Sequence, residues 1–272
     1  MTRDVAYPDS LAEHYDGDYD ILRHDGEDVA FYTDLALHAG GPVMEIGCGT
    51  GRVALPVARA GCTVLGVDPT PAMLSRLADK LARESADVRE RITLQPGRFD
   101  AVPGEGSFAL VFSAFRAFQH LNDRREQLAA LTEMARWTRP GGLVAFDVFD
   151  YNAERAAAYA DEHADYVLQV ADQTRERRSR ARYDEKNGLI HCRFRWLLNG
   201  AADGEATFTM KVSTRDELVA LLPDAGLELE AVFGTFAADP WTASEQREIV
   251  IVARRPGGTD SGPSHPARPI AS

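Results

Sequence analysis

One stretch of the chain, VMEIGCGTGRVALPVARAGCTVLGVD at residues 43–68, constrains the fold more than any other. Two short apolar runs flank a segment with helical spacing, and Gly47, Gly49 and Gly51 directly follow the first run. This order is typical of a strand, a turn, a helix and a second strand in a parallel sheet. Glycines at such a turn let a ligand approach the backbone closely, where amides at the helix start can face it. The stretch therefore predicts a ligand-binding βα unit.

The same alternation continues to residue 150 and predicts five βα turns without interruption. The predicted strands lie at 43–46, 64–67, 92–94, 110–113 and 143–149. The helices between them are marked by Pro71 at a first turn, by Asn122 or Asp123 as a cap, and by Pro140-Gly141-Gly142 as a stop.

Later segments predict two additions to this core. A capping box at Thr214 and Glu217 precedes a helix and two strands, near 227–233 and 248–253, which should pair as an antiparallel edge. Before them the hydrophobic period changes to two, which predicts a small antiparallel sheet at 156–212 lying over the site. The core then comprises 41–155 and 213–255, and the polar residues 256–272 are predicted to be a flexible tail.

Composition excludes several classes of partner. The formal net charge is −12, and nucleic-acid-binding proteins usually carry a clustered basic excess instead. No stretch approaches the about 18 uncharged residues of a membrane span, and the N-terminus has no apolar signal region, so a cytoplasmic protein is expected. The three cysteines have neither metal-site spacing nor an even count, so no metal and no disulfide is predicted.

The glycine spacing bears on the kind of ligand. A dinucleotide site requires G-x-G-x-x-G, whereas here the third glycine comes one residue early and Arg52 occupies the last position. Asp68 ends the second predicted strand, where a carboxylate can accept hydrogen bonds from two ribose hydroxyls. The motif thus favours a nucleoside. A purely structural alternative has Asp68 capping the helix that begins at Pro69-Thr70-Pro71.

The segment Glu45-Ile46-Gly47-Cys48-Gly49-Thr50-Gly51, together with Asp68 and Pro140-Gly141-Gly142, resembles the class I S-adenosylmethionine-dependent methyltransferases over roughly residues 15–254. The resemblance implies a Rossmann-like α/β fold, with a seven-stranded mixed sheet of order 3-2-1-4-5-7-6, and S-adenosyl-L-methionine as cofactor. It also implies that residues 1–40 form an N-terminal helical lid like that of small-molecule methyltransferases, including amino-sugar N-methyltransferases.

The resemblance implies a set of cofactor-binding residues. Gly47, Cys48 and Gly49 are expected along the methionine portion, Asp68 on the ribose, and Pro69 and Met73 near the adenosine. The full set is Tyr19, Arg23, Glu45, Gly47, Cys48, Gly49, Gly51, Arg52, Asp68, Pro69, Met73, Arg98, Phe99 and Ser113. Tyr15, Tyr19 and Arg23 are expected to reach the cofactor carboxylate or the substrate, and the alternative is that the two tyrosines only dock a surface helix.

One position departs from the family pattern. Family members usually carry Gly-Asp after the third strand, where the acid accepts from the adenine amino group, but this chain has Gly97-Arg98-Phe99. An arginine offers no acceptor. Adenine recognition is therefore expected from backbone groups, from Asp100, or from stacking on Phe99.

The acceptor site is expected beyond the carboxyl ends of the strands, at 113–120, 147–151 and 235–241. Methyl transfer mainly requires positioning, with a base only where the acceptor holds its proton too tightly. His120 is the candidate base, and packing at a helix start is the alternative for it. The predicted substrate-binding residues are Tyr15, Arg116, Phe118, Tyr151 and Trp241.

Two basic features leave alternatives open. Arg116 is expected either to bind an acidic substrate group or to pair with Asp147 or Asp150. The arginines between 175 and 182 suit an anionic substrate, a subunit contact or a solvated strand face.

The sequence thus predicts an S-adenosylmethionine-dependent methyltransferase of a small molecule, with a nitrogen, carbon or oxygen acceptor, and the resemblance implies a role in bacterial secondary metabolism. The predicted partners are a small-molecule substrate and a second copy in a homodimer, and no nucleic-acid or membrane partner is expected. The alternatives are a non-catalytic cofactor-binding protein and a nicotinamide-dependent oxidoreductase.

Overall fold

The computed structural model describes residues 9–22, 26–99, 105–243 and 248–257. Its strands are β1 (Val43–Ile46), β2 (Val64–Asp68), β3 (Ile92–Pro96), β4 (Phe108–Ser113), β5 (Thr138–Phe149), β6 (His163–Val170), β7 (Gln173–Asp184), β8 (Leu189–Leu198), β9 (Ala201–Lys211), β10 (Glu228–Phe233) and β11 (Glu248–Arg254). Its α-helices are α1 (Asp9–Leu22), α2 (Glu27–Ala39), α3 (Ala54–Arg59), α4 (Pro71–Leu81), α5 (Ala86–Arg91), α6 (Arg124–Trp137), α7 (Ala153–Ala158) and α8 (Arg215–Val219).

The central sheet has seven strands in the order β10-β11-β5-β4-β1-β2-β3. Strands β1 to β5 run parallel, and β11 is antiparallel to both β5 and β10. Because β10 and β11 are the sixth and seventh strands of this sheet, the predicted order 3-2-1-4-5-7-6 is confirmed. The strand order reverses at β1 and β4, so a crevice opens at their carboxyl ends.

Helices cover both faces of the sheet, and the central strands are buried accordingly. Side chains alternate between the two layers. Val43 and Leu110 join the apolar cluster with α2 and α3, whereas Met44 and Val111 join the cluster with α6 and α8. This double burial explains why the strands read as continuous apolar runs in the sequence.

A second sheet of four antiparallel strands, β6-β7-β8-β9, follows α7. On β8 the predicted alternation is present, since Ile190, Cys192 and Trp196 are buried while His191 is exposed. The sequence did not predict β6. Its apolar residues Val167 and Val170 are exposed, so this edge strand shows no buried face with a period of two.

Helix α1 packs against β9 of the second sheet and against α4 of the core. Asp18 is buried, and its carboxylate accepts hydrogen bonds from Arg177 at 2.9 Å, from the Tyr166 hydroxyl at 2.6 Å and from the Trp196 indole at 3.0 Å. These four residues are called the Asp18 cluster below. On the core side of the same helix, Lys80 donates to Asp16 at 2.9 Å.

Helix signals from the sequence are confirmed, with one correction. Asp123 caps α6, Thr214 and Glu217 form the capping box of α8, and Pro71 begins α4. Residues 140–142, predicted as a stop before a strand, lie inside β5 instead. The reason is backbone pairing, because the Gly141 amide donates to the Arg255 carbonyl at 2.8 Å.

Within the described part of the chain, no helix combines the length and the apolar character needed to cross a membrane.

Candidate active site

The glycine turn after β1 needs glycine for two different reasons. All three residues have positive φ, 76° at Gly47, 54° at Gly49 and 80° at Gly51. A Cβ at Gly47 would come 2.7 Å from Ala117, and one at Gly51 would come 2.2 Å from Leu77. A Cβ at Gly49 would meet no atom within 4 Å, because this residue borders an open cavity.

This first cavity lies at the carboxyl ends of β1, β2 and β4. Sequence-predicted residues supply much of its lining: Tyr15, Gly47, Gly49, Asp68, Pro69, Met73, Arg98, Phe99, Ser113, Phe118 and His120. The remainder comes mostly from apolar residues that the sequence did not single out, including Ile46, Leu121, Ala130 and Met134. The position matches the expected crevice.

Asp68 combines the structural and the functional interpretation. Its Oδ1 accepts from the Thr70 amide at 2.8 Å and its Oδ2 from the Gly49 amide at 2.9 Å, so the carboxylate shapes both the helix start and the glycine turn. Burial raises its pKa, and the two amides oppose that shift. The Thr70 side chain also donates to Asp68, so three of the about four acceptor positions of this carboxylate are used and one remains for a ribose hydroxyl.

Charged groups of both signs lie behind the glycine turn. Glu45 is 2% exposed, burial raises its pKa well above the ordinary value, and its Oε2 has no hydrogen-bond partner among the described residues. Arg52 pairs with Asp28 and lies 4.2 Å over the Phe115 ring, yet its Nε lacks a partner among those residues. Neither residue lines the first cavity, so the predicted contact of Glu45 and Arg52 with the methionine portion of the cofactor stays a prediction.

The opposite end of the cavity suits a planar apolar group. Arg98 and Phe99 both line it, with the guanidinium 5.5 Å from the ring centroid. Phe118 is buried beside them and stacks on Phe146 at 4.3 Å. Stacking and backbone groups are thus available for adenine. Asp100, the third candidate, lies outside the described residues.

The segment after β4 has an unusual backbone. Phe115 and Arg116 are consecutive non-glycine residues with φ of 55° and 64°, a conformation that costs about 1–2 kcal/mol per residue. Buried Asp147 accepts from both amides, at 2.7 Å and 2.9 Å, and from the Tyr32 hydroxyl at 2.7 Å. Burial and the nearby Glu248 raise the pKa of Asp147 to about 6. The sequence had offered Asp147 only as an ion-pair partner.

Arg116 has a different partner from the two predicted for it. Its guanidinium pairs with Glu248 at 2.7 Å, whereas Asp147 receives only its backbone amide and Asp150 accepts from the Trp241 indole at 3.2 Å. The correction has a simple geometric cause. The left-handed backbone turns the side chain toward β11, a strand that is distant in sequence.

His120 ends a short 3-10 turn at Ala117–His120 and lines the first cavity. Its ring meets Phe208 of β9 edge-on at 5.5 Å. Burial lowers its pKa to about 4, and a hydrogen bond with the Thr209 backbone opposes that shift. The imidazole is therefore neutral near pH 7, the form that can accept a proton.

A second cavity of about 560 Å³ opens between the core and the four-stranded sheet. Its lining includes Arg116 and Phe149 from the core, Tyr151 and Tyr159 around α7, and Tyr183 and Cys192 from the second sheet. The Tyr151 and Tyr183 rings lie 4.5 Å apart. Of this lining the sequence had named only Arg116 and Tyr151 as substrate-binding residues, although it placed 147–151 at the acceptor site and predicted a small antiparallel sheet over it.

Six predicted residues that the structure describes line neither cavity: Tyr19, Glu45, Cys48, Gly51, Arg52 and Trp241. Tyr19 packs edge-on against Phe115 at 4.6 Å, and Cys48 is buried below the turn. Arg23 lies outside the described residues. Arg177 from the arginine-rich segment is buried in the Asp18 cluster, while Arg178 pairs with acidic side chains.

The chain is similar to known methyltransferases. Residues 43–142 match the methyltransferase domain family. The cypemycin N-terminal methyltransferase of a Streptomyces species is 25% identical over 256 residues, covering 94% of this chain and 100% of the relative.

Two solved methyltransferase structures have a similar fold. The CcbJ methyltransferase from Streptomyces caelestis is 26% identical with a TM-score of 0.71, covering 84% of this chain and 94% of that one. The S-adenosylmethionine-bound CalS10, an amino pentose methyltransferase from Micromonospora echinaspora, shares the fold at 24% identity and a TM-score of 0.65, covering 89% and 96%.

Residues 43–142 thus match the methyltransferase domain family, and similarity to individual methyltransferases extends over most of the chain. The resemblance to the class I S-adenosylmethionine-dependent enzymes is confirmed, and S-adenosylmethionine is the cofactor that the family and the site both support.

Proposed function

We propose that this protein transfers a methyl group from S-adenosylmethionine to a small-molecule acceptor bound in the second cavity. The observation that carries the proposal is a shared wall. Phe115 and Ala117 line the first cavity and the neighbouring Arg116 lines the second, so one short segment separates the two. Ligands on its two sides can approach each other at the carboxyl end of β4.

The acceptor atom that we propose is nitrogen, in an amine of a bacterial natural product. The Tyr151 and Tyr183 rings of the second cavity, which are tilted by 36° to each other, suit a planar or cationic group. The similar proteins named above support this choice, because they include an N-terminal methyltransferase and an amino pentose methyltransferase.

In the proposed reaction the cofactor supplies the methyl group on a sulfonium, and the bond to sulfur breaks as the bond to the acceptor nitrogen forms. Asp68 holds the ribose, and the groups around Glu45 and Arg52 hold the amino-acid end. Such positioning supplies most of the rate enhancement in a displacement of this kind. Neutral His120 then relays the proton that the methylated nitrogen releases, because an imidazole whose pKa is lowered to about 4 does not hold a proton near pH 7.

Titration calorimetry with S-adenosylhomocysteine, run beside NAD, tests the cofactor assignment first. We expect binding of S-adenosylhomocysteine alone. A panel of primary and secondary amines, screened by mass spectrometry with S-adenosylmethionine, then identifies the acceptor. Absence of S-adenosylhomocysteine binding contradicts the cofactor assignment, whereas binding without methylation of any acceptor favours a non-catalytic role.

His120→Ala tests the proposed base. We expect kcat to fall about 100-fold or more, because general-base catalysis typically contributes at least that factor. The affinity for S-adenosylhomocysteine should stay within about threefold of wild type, since no charged partner of the cofactor is lost. His191→Ala, on the exposed face of β8, is the matched control and should leave kcat unchanged. Retained kcat in His120→Ala would assign His120 a packing role.

A further inference from the structure

The segment 113–120 is fixed by a single buried carboxylate. Each residue of the Phe115-Arg116 pair is in the left-handed region, where both amides point toward Asp147. Consecutive amides arranged in this way form a concave anion site. Here the anion is a side chain of β5, which is 1% exposed and belongs to the rigid centre of the sheet.

Several functional contacts depend on this backbone. The Phe115 ring packs against Arg52 at 4.2 Å and against Tyr19 at 4.6 Å. Ala117 lies so close to the glycine turn that no side chain fits at Gly47. A shift of the segment therefore moves the walls of both cavities together.

A second clamp closes the other end of the segment. Buried Gln119 accepts from the Phe149 amide at 3.0 Å and donates to the Lys211 carbonyl at 3.1 Å. The segment is thus tied to β5 at both ends, and His120 follows directly on the second tie. Both amides, those of residues 115 and 116, are bound by the same carboxylate, one by each oxygen of Asp147.

We propose that Asp147 is a positioning residue for methyl transfer, which holds segment 113–120 in the strained conformation that aligns the two cavities. The proposal rests on the proposed function, because the alignment matters only if both ligands react. In-line displacement is sensitive to such alignment, and a misplacement of about 1 Å can cost about 100-fold in rate.

The test is Asp147→Asn, which preserves shape but replaces one acceptor oxygen by an NH2 donor that faces a backbone N–H. We expect hydrogen exchange of 113–120 in the S-adenosylhomocysteine complex to accelerate about tenfold or more, with β1 and β2 unchanged. With the acceptor identified above, kcat should fall about 30- to 100-fold while KM stays within about threefold.

Two further variants make the result specific. Tyr32→Phe removes one donor to Asp147 and leaves both amide bonds, so a smaller acceleration of exchange, about threefold, is expected; it also serves if Asp147→Asn does not fold. Asp123→Asn makes the same chemical change at the exposed cap of α6, where asparagine caps equally well, and should leave the exchange of 113–120 unchanged.

Unchanged exchange in both Asp147→Asn and Tyr32→Phe overturns the proposal, as does an unchanged kcat in a folded Asp147→Asn. A rise in KM with constant kcat also overturns it, because that pattern indicates lost substrate binding. Wild-type protein that methylates no acceptor contradicts the proposed function and, with it, the kinetic part of this proposal. The exchange measurement still decides independently whether Asp147 holds the segment.

Discussion

Buried carboxylates that accept backbone amides recur at this site. Asp68 fixes the glycine turn and Asp147 fixes the segment after β4. The pKa of Asp147, at about 6, lies above the ordinary value of an aspartate. Its folded state therefore binds a proton more tightly than the unfolded state, and its contribution to stability falls as the pH rises from about 4 through about 6. Keeping this ionised group thus opposes stability near neutral pH, as expected of a functional residue.

Asp68→Ala should weaken S-adenosylhomocysteine binding about 10- to 100-fold. The change removes the charged ribose acceptor and also releases the Gly49 and Thr70 amides, and such partners contribute about 1–3 kcal/mol. Titration calorimetry measures the effect. Asp79→Ala, an exposed acid on α4, is the control and should bind normally. Equal affinity of the two variants would remove Asp68 from the cofactor site.

At the scale of elements, the three glycines of the turn between β1 and α3, Gly47, Gly49 and Gly51, do not all have the same role. Gly51 is constrained by Leu77 of α4, and Gly49 is constrained by no protein atom although it has the same left-handed backbone. The motif therefore contains one residue whose side-chain space is filled by the core and another that borders the first cavity.

The pair Gly51→Ala and Gly49→Ala should separate these roles. Gly51→Ala should lose more stability, because the left-handed backbone costs about 1–2 kcal/mol and the clash with Leu77 adds to that cost. Gly49→Ala should lose only the stability that the left-handed backbone costs, but it should bind S-adenosylhomocysteine more weakly. Denaturant unfolding and calorimetry on both variants measure this. Equal losses of stability with equal affinities would contradict the division.

The sequence predicted the elements whose signals are local. Apolar runs, caps and the glycine spacing predicted the five parallel strands and the first cavity. The order of the strands followed from the resemblance. Contacts made across the sheet left no local signal. The Arg116–Glu248 pair and the amide bonds of Asp147 join residues more than 30 positions apart. The left-handed conformation at Phe115 was equally hidden, since glycine or asparagine usually marks it.

For the molecule as a whole, α1 links the core to the four-stranded sheet. Its core side reaches Lys80 through Asp16, Tyr15 lines the first cavity, and Asp18 is buried against the second sheet. We therefore expect α1 and the four-stranded sheet to respond together when the cofactor binds.

Asp18→Asn tests this connection. Arg177 keeps its ion pair with Asp165 at 2.9 Å but loses the carboxylate of Asp18. Because a buried pair is broken, the free energy of unfolding should fall by about 3 kcal/mol. Hydrogen exchange of 9–22 should accelerate, and S-adenosylhomocysteine should bind about tenfold more weakly. Asp203→Asn removes only the exposed pair with His14. It should not appreciably change the stability, the hydrogen exchange of 9–22 or the affinity for S-adenosylhomocysteine. Normal exchange of α1 in Asp18→Asn would show that the helix is held by its core contacts alone.

The Asp18 cluster also limits how such a protein can diversify. A chimera that receives residues 163–211 from a relative exchanges the second-sheet wall of the second cavity and leaves the glycine turn intact. In this chimera the retained Asp18 faces side chains of the relative in place of Tyr166, Arg177 and Trp196. The N-terminal helix and the inserted sheet should therefore be inherited as one recombination unit, although the whole glycine turn and more than 100 residues of the core separate them in the gene.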